Sequence, residues 1–449
     1  MLRTWPWFLL LFYGLVSALV TIPQGALAQD LRSESWYEED SLSDKDGFCV
    51  EGEQEEVQEG EEGNAQEEEG KQGQEQEEGS QVKVVYGPKG IQLTTRDGKF
   101  QTQIQWRVQV RYSYPFDSEP RSVSQFDAQD SSTFKIRRAR IKVGGYAYQP
   151  WLKYYTEYDF PSNRLLDFRL TIDKYEWLQL RVGQWKSNYN RERVDSSGSQ
   201  QFVERSIVNR AFTIDRQQGV MLFGHLMPGK RADSWYYAGV FTGTGRGAST
   251  NDDGRMMWMG RFQWNFLRRD LKFSQSDVEY HEEPTGSIAF AGLTNRSPFT
   301  RFSSSGGGQL DGFEEGDPGQ YSVKQLMEET AFKYRGFSFQ HEYHWKQIED
   351  TVNGTTTKLA GSYAQAGYFF HHLIPLVPRQ LELGFRYAFV DPNVSLPNDR
   401  RREYTGVLNW FFKEHRNKLT FDVSGLTLAQ SGGSDLADLR VRLQWDVSF

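Results

Sequence analysis

From Phe100 to Tyr112 apolar and polar side chains alternate without a break. Phe100, Thr102, Ile104, Trp106, Val108, Val110 and Tyr112 share one face, and Gln101, Gln103, Gln105, Arg107, Gln109 and Arg111 share the other. Leu439, Val441, Leu443, Trp445, Val447 and Phe449 repeat the pattern against Arg440, Arg442, Gln444, Asp446 and Ser448. Leu381, Leu383, Phe385, Tyr387 and Phe389 form another such face. A period of two predicts strands with one apolar and one polar face. The apolar face meets either a second sheet, as in a secreted sandwich or adhesin, or lipid, as in a membrane barrel. The strands run near the ~9–11 residues that cross a bilayer when tilted. Aromatic residues crowd strand ends, as at Trp151 to Tyr155 and Trp235 to Tyr237, which suits interfacial girdles.

Sixteen strands are predicted, near 100–112, 134–148, 151–160, 166–173, 176–185, 216–226, 234–243, 257–267, 284–294, 322–334, 337–347, 359–370, 380–390, 403–412, 417–426 and 438–449. Short turns at Gln149-Pro150, Asp173-Lys174, Tyr334 to Gly336 and Lys413 to Arg416 alternate with longer polar connections at 113–133, 186–215, 295–321 and 391–402. Short turns on one rim and long loops on the other are the mark of an outer-membrane barrel. The even count puts both ends of the sheet on the short-turn rim. The expected fold class is all-β, a sixteen-stranded antiparallel transmembrane barrel. A barrel that wide encloses an aqueous lumen.

The first residues change the compartment. Arg3, the apolar run Trp7 to Val20 and Ala26-Leu27-Ala28 have the form of a secretory signal, so 1–28 is expected to be removed. Residues 29–82 are rich in Glu, Gly and Gln and carry 20 acidic side chains against Arg32, Lys45 and Lys71. Such a stretch repels itself and buries little, so it is expected to be a disordered spacer. The barrel is then 83–449. The whole chain has 52 Lys+Arg and 60 Asp+Glu, whereas 83–449 retains 48 and 40, so the barrel is positive although the chain is negative. The lone Cys49 falls in the acidic segment and has no partner within the chain for a disulfide.

Catalytic patterns are sparse. His341 and His344 lie three apart, which on a strand sends them to opposite faces, and the sequence supplies neither with an obvious carboxylate or serine. His371-His372 falls in a short turn beside prolines. No H-E-x-x-H or phosphate-binding glycine loop occurs, so neither an enzyme nor a bound cofactor or metal is expected. Nothing points to nucleic acid.

Six stretches in order carry a family resemblance: Arg137-Arg138-Ala139-Arg140, Tyr155 to Phe160, Gly183-Gln184-Trp185-Lys186 with Glu192-Arg193 and Ser196-Ser197, Phe202 to Ser206, Asp215 to Val220, and the terminal Phe449. They resemble the phosphate-selective porins of Gram-negative outer membranes over about 85–449. The resemblance implies a homotrimer of sixteen-stranded barrels, passage of phosphate or similar small anions, and delivery by the barrel-assembly machinery through Phe449. It also implies that the third extracellular loop, here 186–215, folds into the pore. The Trp185 to Tyr189 stretch and the acidic segment depart from the family pattern.

An anion pore needs fixed positive charge on a low-dielectric wall, and arginine's fork suits phosphate oxygens. The lumen-facing phase holds Arg107, Arg111, Lys135, Arg137, Arg138, Arg140, Lys142, Arg440 and Arg442; the loop adds Lys186, Arg191, Arg193, Arg205 and Arg210. First and last strands adjoin in a closed barrel, so these residues are expected to form one basic wall. Any water-filled barrel shows lumenal charges, however, and Glu157, Asp159 and Asp167 are near enough in sequence to pair with several. The Phe134 to Lys142 run would repel itself unless something negative visits.

Overall fold

The computed structural model describes residues 82–87, 90–127, 131–247, 250–303, 307–430 and 434–449. The expected signal and nearly all of the acidic segment, with Cys49, lie outside the described residues. A hairpin, β1 (Val82–Gly87) and β2 (Gly90–Thr95), precedes sixteen longer strands. These are β3 (Phe100–Tyr114), β4 (Thr133–Ala147), β5 (Gln149–Asp159), β6 (Arg164–Tyr175), β7 (Leu178–Lys186), β8 (Arg216–Leu226), β9 (Ser234–Phe241) and β10 (Met257–Trp264). The second half comprises β11 (Thr285–Ser297), β12 (Tyr321–Tyr334), β13 (Phe337–Asp350), β14 (Thr355–Tyr368), β15 (Leu381–Asp391), β16 (Arg401–Lys413), β17 (Asn417–Leu428) and β18 (Leu436–Ser448).

Each of these sixteen pairs antiparallel with its neighbours, and β18 pairs with β3 from Val441↔Tyr114 to Ser448↔Arg107, closing the barrel. Trp106 and Phe449 exchange backbone hydrogen bonds of 2.7 and 3.0 Å at the seam. All sixteen strands fall where the period-two pattern places them. Side chains point out to lipid at Phe134, Phe168, Phe290 and Leu326, and in to the lumen at Arg107, Glu329 and Arg442.

Four expectations need correction. The hairpin was not foreseen. β18 ends at the level of Trp106, leaving the lower edge of β3 open, and β2 pairs with it from Ile91↔Ile104 to Thr94↔Gln101. The hairpin thus covers backbone donors and acceptors that would otherwise be an exposed sheet edge. Asp173-Lys174 is not a turn: β6 runs on to Tyr175, the turn is Glu176-Trp177, and Asp173 pairs with Lys153 at 2.5 Å. The short-turn rim also carries two long connections, 265–284 and 369–380.

Fourth, the histidines do have partners. His344 is buried in the lumen, with Nε2 2.9 Å from Glu342. His341 points outward, as the spacing requires, with Nδ1 3.2 Å from Glu328 and Nε2 3.1 Å from Ser362. Strand register brings Glu328 of β12 and Ser362 of β14 to His341, which their sequence separation conceals, whereas Glu342 is two residues from His344 on β13 itself.

The lumen is not uniformly polar. Inward positions on β8 to β15 are in part apolar, including Met221, Phe223, Phe241, Met257, Val323, Ile348 and Val390. Loop 187–215 and loop 298–320 bring Tyr189, Val208, Phe212, Ile214, Phe302 and Leu310 against them. Burying a large apolar side chain is worth roughly 1.5–3 kcal/mol, so this patch is what draws the loops inward. Lys346 Nζ ties the two loops together, donating to Ala211 O at 3.0 Å and Thr300 O at 2.6 Å.

Candidate functional site

Loop 187–215 lies inside the barrel, as expected for its third extracellular loop. Wall carboxylates hold its backbone: Glu329 accepts from Arg191 N at 2.9 Å, Glu342 from Glu192 N at 2.7 Å, Asp422 from Val203 N at 3.2 Å and Glu403 from Ile207 N at 2.9 Å. All four come from β12 to β17, so the loop is fastened to that side. Two strands beyond β17, Gly198 lies against Arg107, where a Cβ would run into the guanidinium. Arg107 donates to Ser196 Oγ at 2.8 Å and to Ser448 Oγ at 2.9 Å.

The fourteen predicted basic residues divide by their contact with water. Arg107, Arg111, Arg138, Lys142, Arg191, Arg440 and Arg442 are buried. Lys135, Arg137, Arg140, Lys186, Arg193, Arg205 and Arg210 keep part of their surface exposed. The β3, β4 and β18 arginines do form one contiguous wall, because Gln444 pairs with Arg111 and Arg107 with Arg140. Arg137 and Arg138 both face inward, although they are consecutive. A bulge makes Gln109 oppose Arg138 and Val110 oppose Ile136, leaving Arg137 as the extra residue.

The second-strand charges do not repel one another unrelieved. Lys135 pairs with Asp117 at 2.5 Å, and Arg140 with Glu157 at 2.7 Å and Asp159 at 3.0 Å. Glu204 in the loop takes Arg111 at 2.9 Å, Arg137 at 3.3 Å and Arg138 at 3.0 Å. Burial opposes its ionisation, but Arg138, Arg137 and Arg111 hold its carboxyl well below the usual range. Glu204 was not foreseen, and the only pointer to it is the Phe202 to Ser206 stretch. Arg442 is matched by Asp422 at 2.6 Å, and Arg440 reaches Asp117 O at 3.2 Å.

Arg191 departs furthest from expectation. It is fully buried, bound to Glu329 at 3.0 Å and to Lys272 O at 2.7 Å, with the Phe273 ring 4.8 Å away. It clamps the loop to β12 and to the 265–284 connection.

What remains facing water is a cluster on the free side of the loop. Lys186 Nζ lies 3.3 Å from both Val194 O and Asp195 O, and Arg205 Nε lies 2.7 Å from Glu192 O. Arg193 pairs with Asp215 at 2.5 Å, and Asp215 also takes Arg216 at 3.4 Å. Burial, and Arg193 beside it, push the Arg205 guanidinium down to about 10. Against burial, Arg193 and Arg216 hold Asp215 low. Burial raises Glu192 and Asp195, on the fastened side, to about 7. Around the loop stand Arg111, Arg137, Arg138, Arg140, Lys186, Arg193, Arg205 and Arg216, against Glu157, Asp159, Asp167, Glu204 and Asp215. Eight cations to five anions leave this cluster net positive.

A second basic group forms at the long-loop mouth. Asp311 receives Arg121 at 2.5 Å and Arg210 and Arg401 at 3.6 Å each, while Arg301 and Arg210 share Gln309 O. Of these arginines only Arg210 was anticipated, because the group assembles from segments nearly 300 residues apart.

A closed barrel with an apolar outer wall, a charged lumen and an inward loop defines a porin of the bacterial outer membrane. The family model "Phosphate-selective porin O and P" matches residues 104–444, most of the chain, and the protein belongs to that family. Among solved structures it is similar to a loop L8 deletion mutant of OmpT from Vibrio cholerae, with TM-score 0.51 and 8% identity over 78% of this chain and 100% of that one. The outer membrane channel DcaP of Acinetobacter baumannii gives TM-score 0.50 and 13% identity over 79% and 99%. At such identities these likenesses show the fold alone. No curated protein matches significantly.

Proposed function

We propose that this porin is anion-selective and passes phosphate or chemically similar oxyanions passively. The observation that carries the reading is the division by exposure. At the level of the inward loop, the side chains left in contact with water are mostly Lys and Arg, while the carboxylates of β12 to β17 are consumed in holding the loop. Lys186, Arg193 and Arg205, with Arg137 and Arg140 across the gap, form the selective contact. The Arg121, Arg210, Arg301 and Arg401 mouth raises the local anion concentration, as a basic funnel does at low ionic strength. Arginine's paired donors favour tetrahedral oxyanions over chloride. A homotrimer, implied by the family resemblance, belongs to the same reading.

The test is block of chloride current by inorganic phosphate in a planar bilayer. Concentration-dependent reduction of single-channel current, relieved in Lys186→Gln and Arg205→Gln, is expected. Chloride current indifferent to phosphate would leave an anion channel without an oxyanion site.

A further inference from the structure

Connections on the short-turn rim of a porin need only reverse the chain, and two residues suffice at Glu176-Trp177. Segment 265–284 instead takes twenty residues, and most of its middle is buried: Leu271, Phe273, Ser274, Gln275, Ser276 and Asp277. Its contacts map a path along the β9 to β15 side of the barrel. It leaves β10 beside β9, where Trp235 Nε1 donates to Asp270 at 2.8 Å. Beneath the inward loop, Leu271 O and Lys272 O accept from Arg191 at 3.3 and 2.7 Å. Phe273 sits under two guanidiniums, Arg191 at 4.8 Å and Arg261 at 5.4 Å. Gln275 Oε1 accepts from Gln201 N at 2.7 Å. Lys333 of β12 donates to Ser274 Oγ at 2.5 Å, and Ser276 Oγ donates to Glu382 of β15 at 2.8 Å. Asp277 then accepts from Gly336 N at 2.8 Å, and the chain returns to β11.

β15 is five strands from β10, about 24 Å along the wall at ~4.8 Å per strand. A segment that touches β9, β12 and β15 therefore occupies the lumen along that whole arc, beneath the fastened side of the loop, rather than merely reversing the chain. Its partners in the loop, Arg191 and Gln201, lie on the loop's fastened side, away from Lys186, Arg193 and Arg205.

We infer that segment 265–284 is a second constriction element, entering from the periplasmic rim. With loop 187–215 it sets the size limit of the pore and keeps solutes against the basic β3 to β8 wall. Phe273, gripped by Arg191 and Arg261, is its anchor. The inference rests on the channel reading but not on which ion passes, because the strap excludes by bulk and the cluster by charge.

The test is single-channel conductance in planar bilayers, together with swelling of protein-loaded liposomes in uncharged sugars of graded size. Two variants are compared with the wild type: one with residues 268–281 replaced by a Gly-Ser pair, and the full-length double substitution Phe273→Ala, Ser276→Ala. Since ion flow scales with open cross-section, removal should raise conductance about twofold or more and admit larger sugars. The double substitution should do so partially, with noisier open-channel current. The anion-to-cation preference should hold in both. A folded variant, recognised by its heat-modifiable migration, with wild-type conductance and sugar cut-off would overturn the inference. Current through the shortened barrel alone would support it in stronger form, as a plug. No current from wild type or variants would overturn the channel reading beneath it.

Discussion

Lys186 offers the sharpest perturbation of the selective contact. Its ammonium ends the last spanning residue of β7, lies 3.3 Å from two carbonyls, with no carboxylate in ion-pair range among the described residues, and keeps part of its surface in water. Arg193, by contrast, is matched by Asp215, and Arg205 supports the loop backbone. An anion passing about 5 Å from the Lys186 ammonium, in a wet lumen of effective dielectric about 40–80, gains roughly 0.8–1.7 kcal/mol from that charge. At 1.4 kcal/mol per tenfold, Lys186→Gln should lower anion permeability about 4–15-fold, and the anion-to-cation ratio by at least that factor, since the same charge repels a cation. Lys186→Glu changes the charge by two units and should square that factor, enough to abolish or invert the preference. The assay is the zero-current potential across a bilayer in a tenfold KCl gradient, with dilute salt on both sides, because at 1 M the Debye length of ~3 Å screens most of the effect. Conductance need change little, since the side chain's size is nearly kept in Gln. If both variants insert as stable barrels and hold the wild-type potential, the passage does not run past Lys186 and the site is misplaced.

Three other outcomes are expected. Arg191→Met should loosen the loop without moving selectivity, because it strips Glu329 of one of two partners in a buried cluster. Breaking such a buried pair costs about 3–5 kcal/mol, read as a lower heat-modification temperature with an unchanged zero-current potential. Acidification from pH 8 to 6 should increase anion preference: burial and Glu342 raise Glu192 to about 7, and burial raises Asp195 to about 7 despite Arg191 and Lys333, so both carboxylates lose charge over this range. Glu192→Gln, Asp195→Asn should flatten that profile. Asp311→Asn frees the mouth arginines of a shared carboxylate and should raise anion conductance in dilute salt, with the gain disappearing at 1 M KCl.

The strands were legible because their signal is local. Alternation at Phe100–Tyr112 and Leu439–Phe449 fixes both the element and the face, and a barrel leaves every strand with the same two environments. The basic wall was legible for the same reason, once closure put β18 beside β3. What escaped depends on contacts between distant segments. Glu204 meets β3 and β4 some 66 to 93 residues away, Asp311 gathers arginines from 121 to 401, and His341 finds Glu328 and Ser362 only through register. Arg191 looked like its neighbours Arg193 and Arg205 in sequence, and only burial against Glu329 and Phe273 separates their roles. The inward apolar patch had a signal in plain view. Val220, Met221, Leu222 and Phe223 run apolar on both faces of β8, which a strand lined only by water would not do. The strap lacked any such signal, because its irregular shape is set by the barrel it meets, and the place of the hairpin depends on the β3 edge that closure leaves open.

The most direct test of the account is the wild-type protein's own zero-current potential in a KCl gradient, followed by addition of phosphate to one side. The account predicts a potential of the sign set by chloride, with phosphate then reducing the chloride current. A potential of the sign set by potassium would contradict it, showing that the lumenal carboxylates, and not Lys186, Arg193 and Arg205, govern passage.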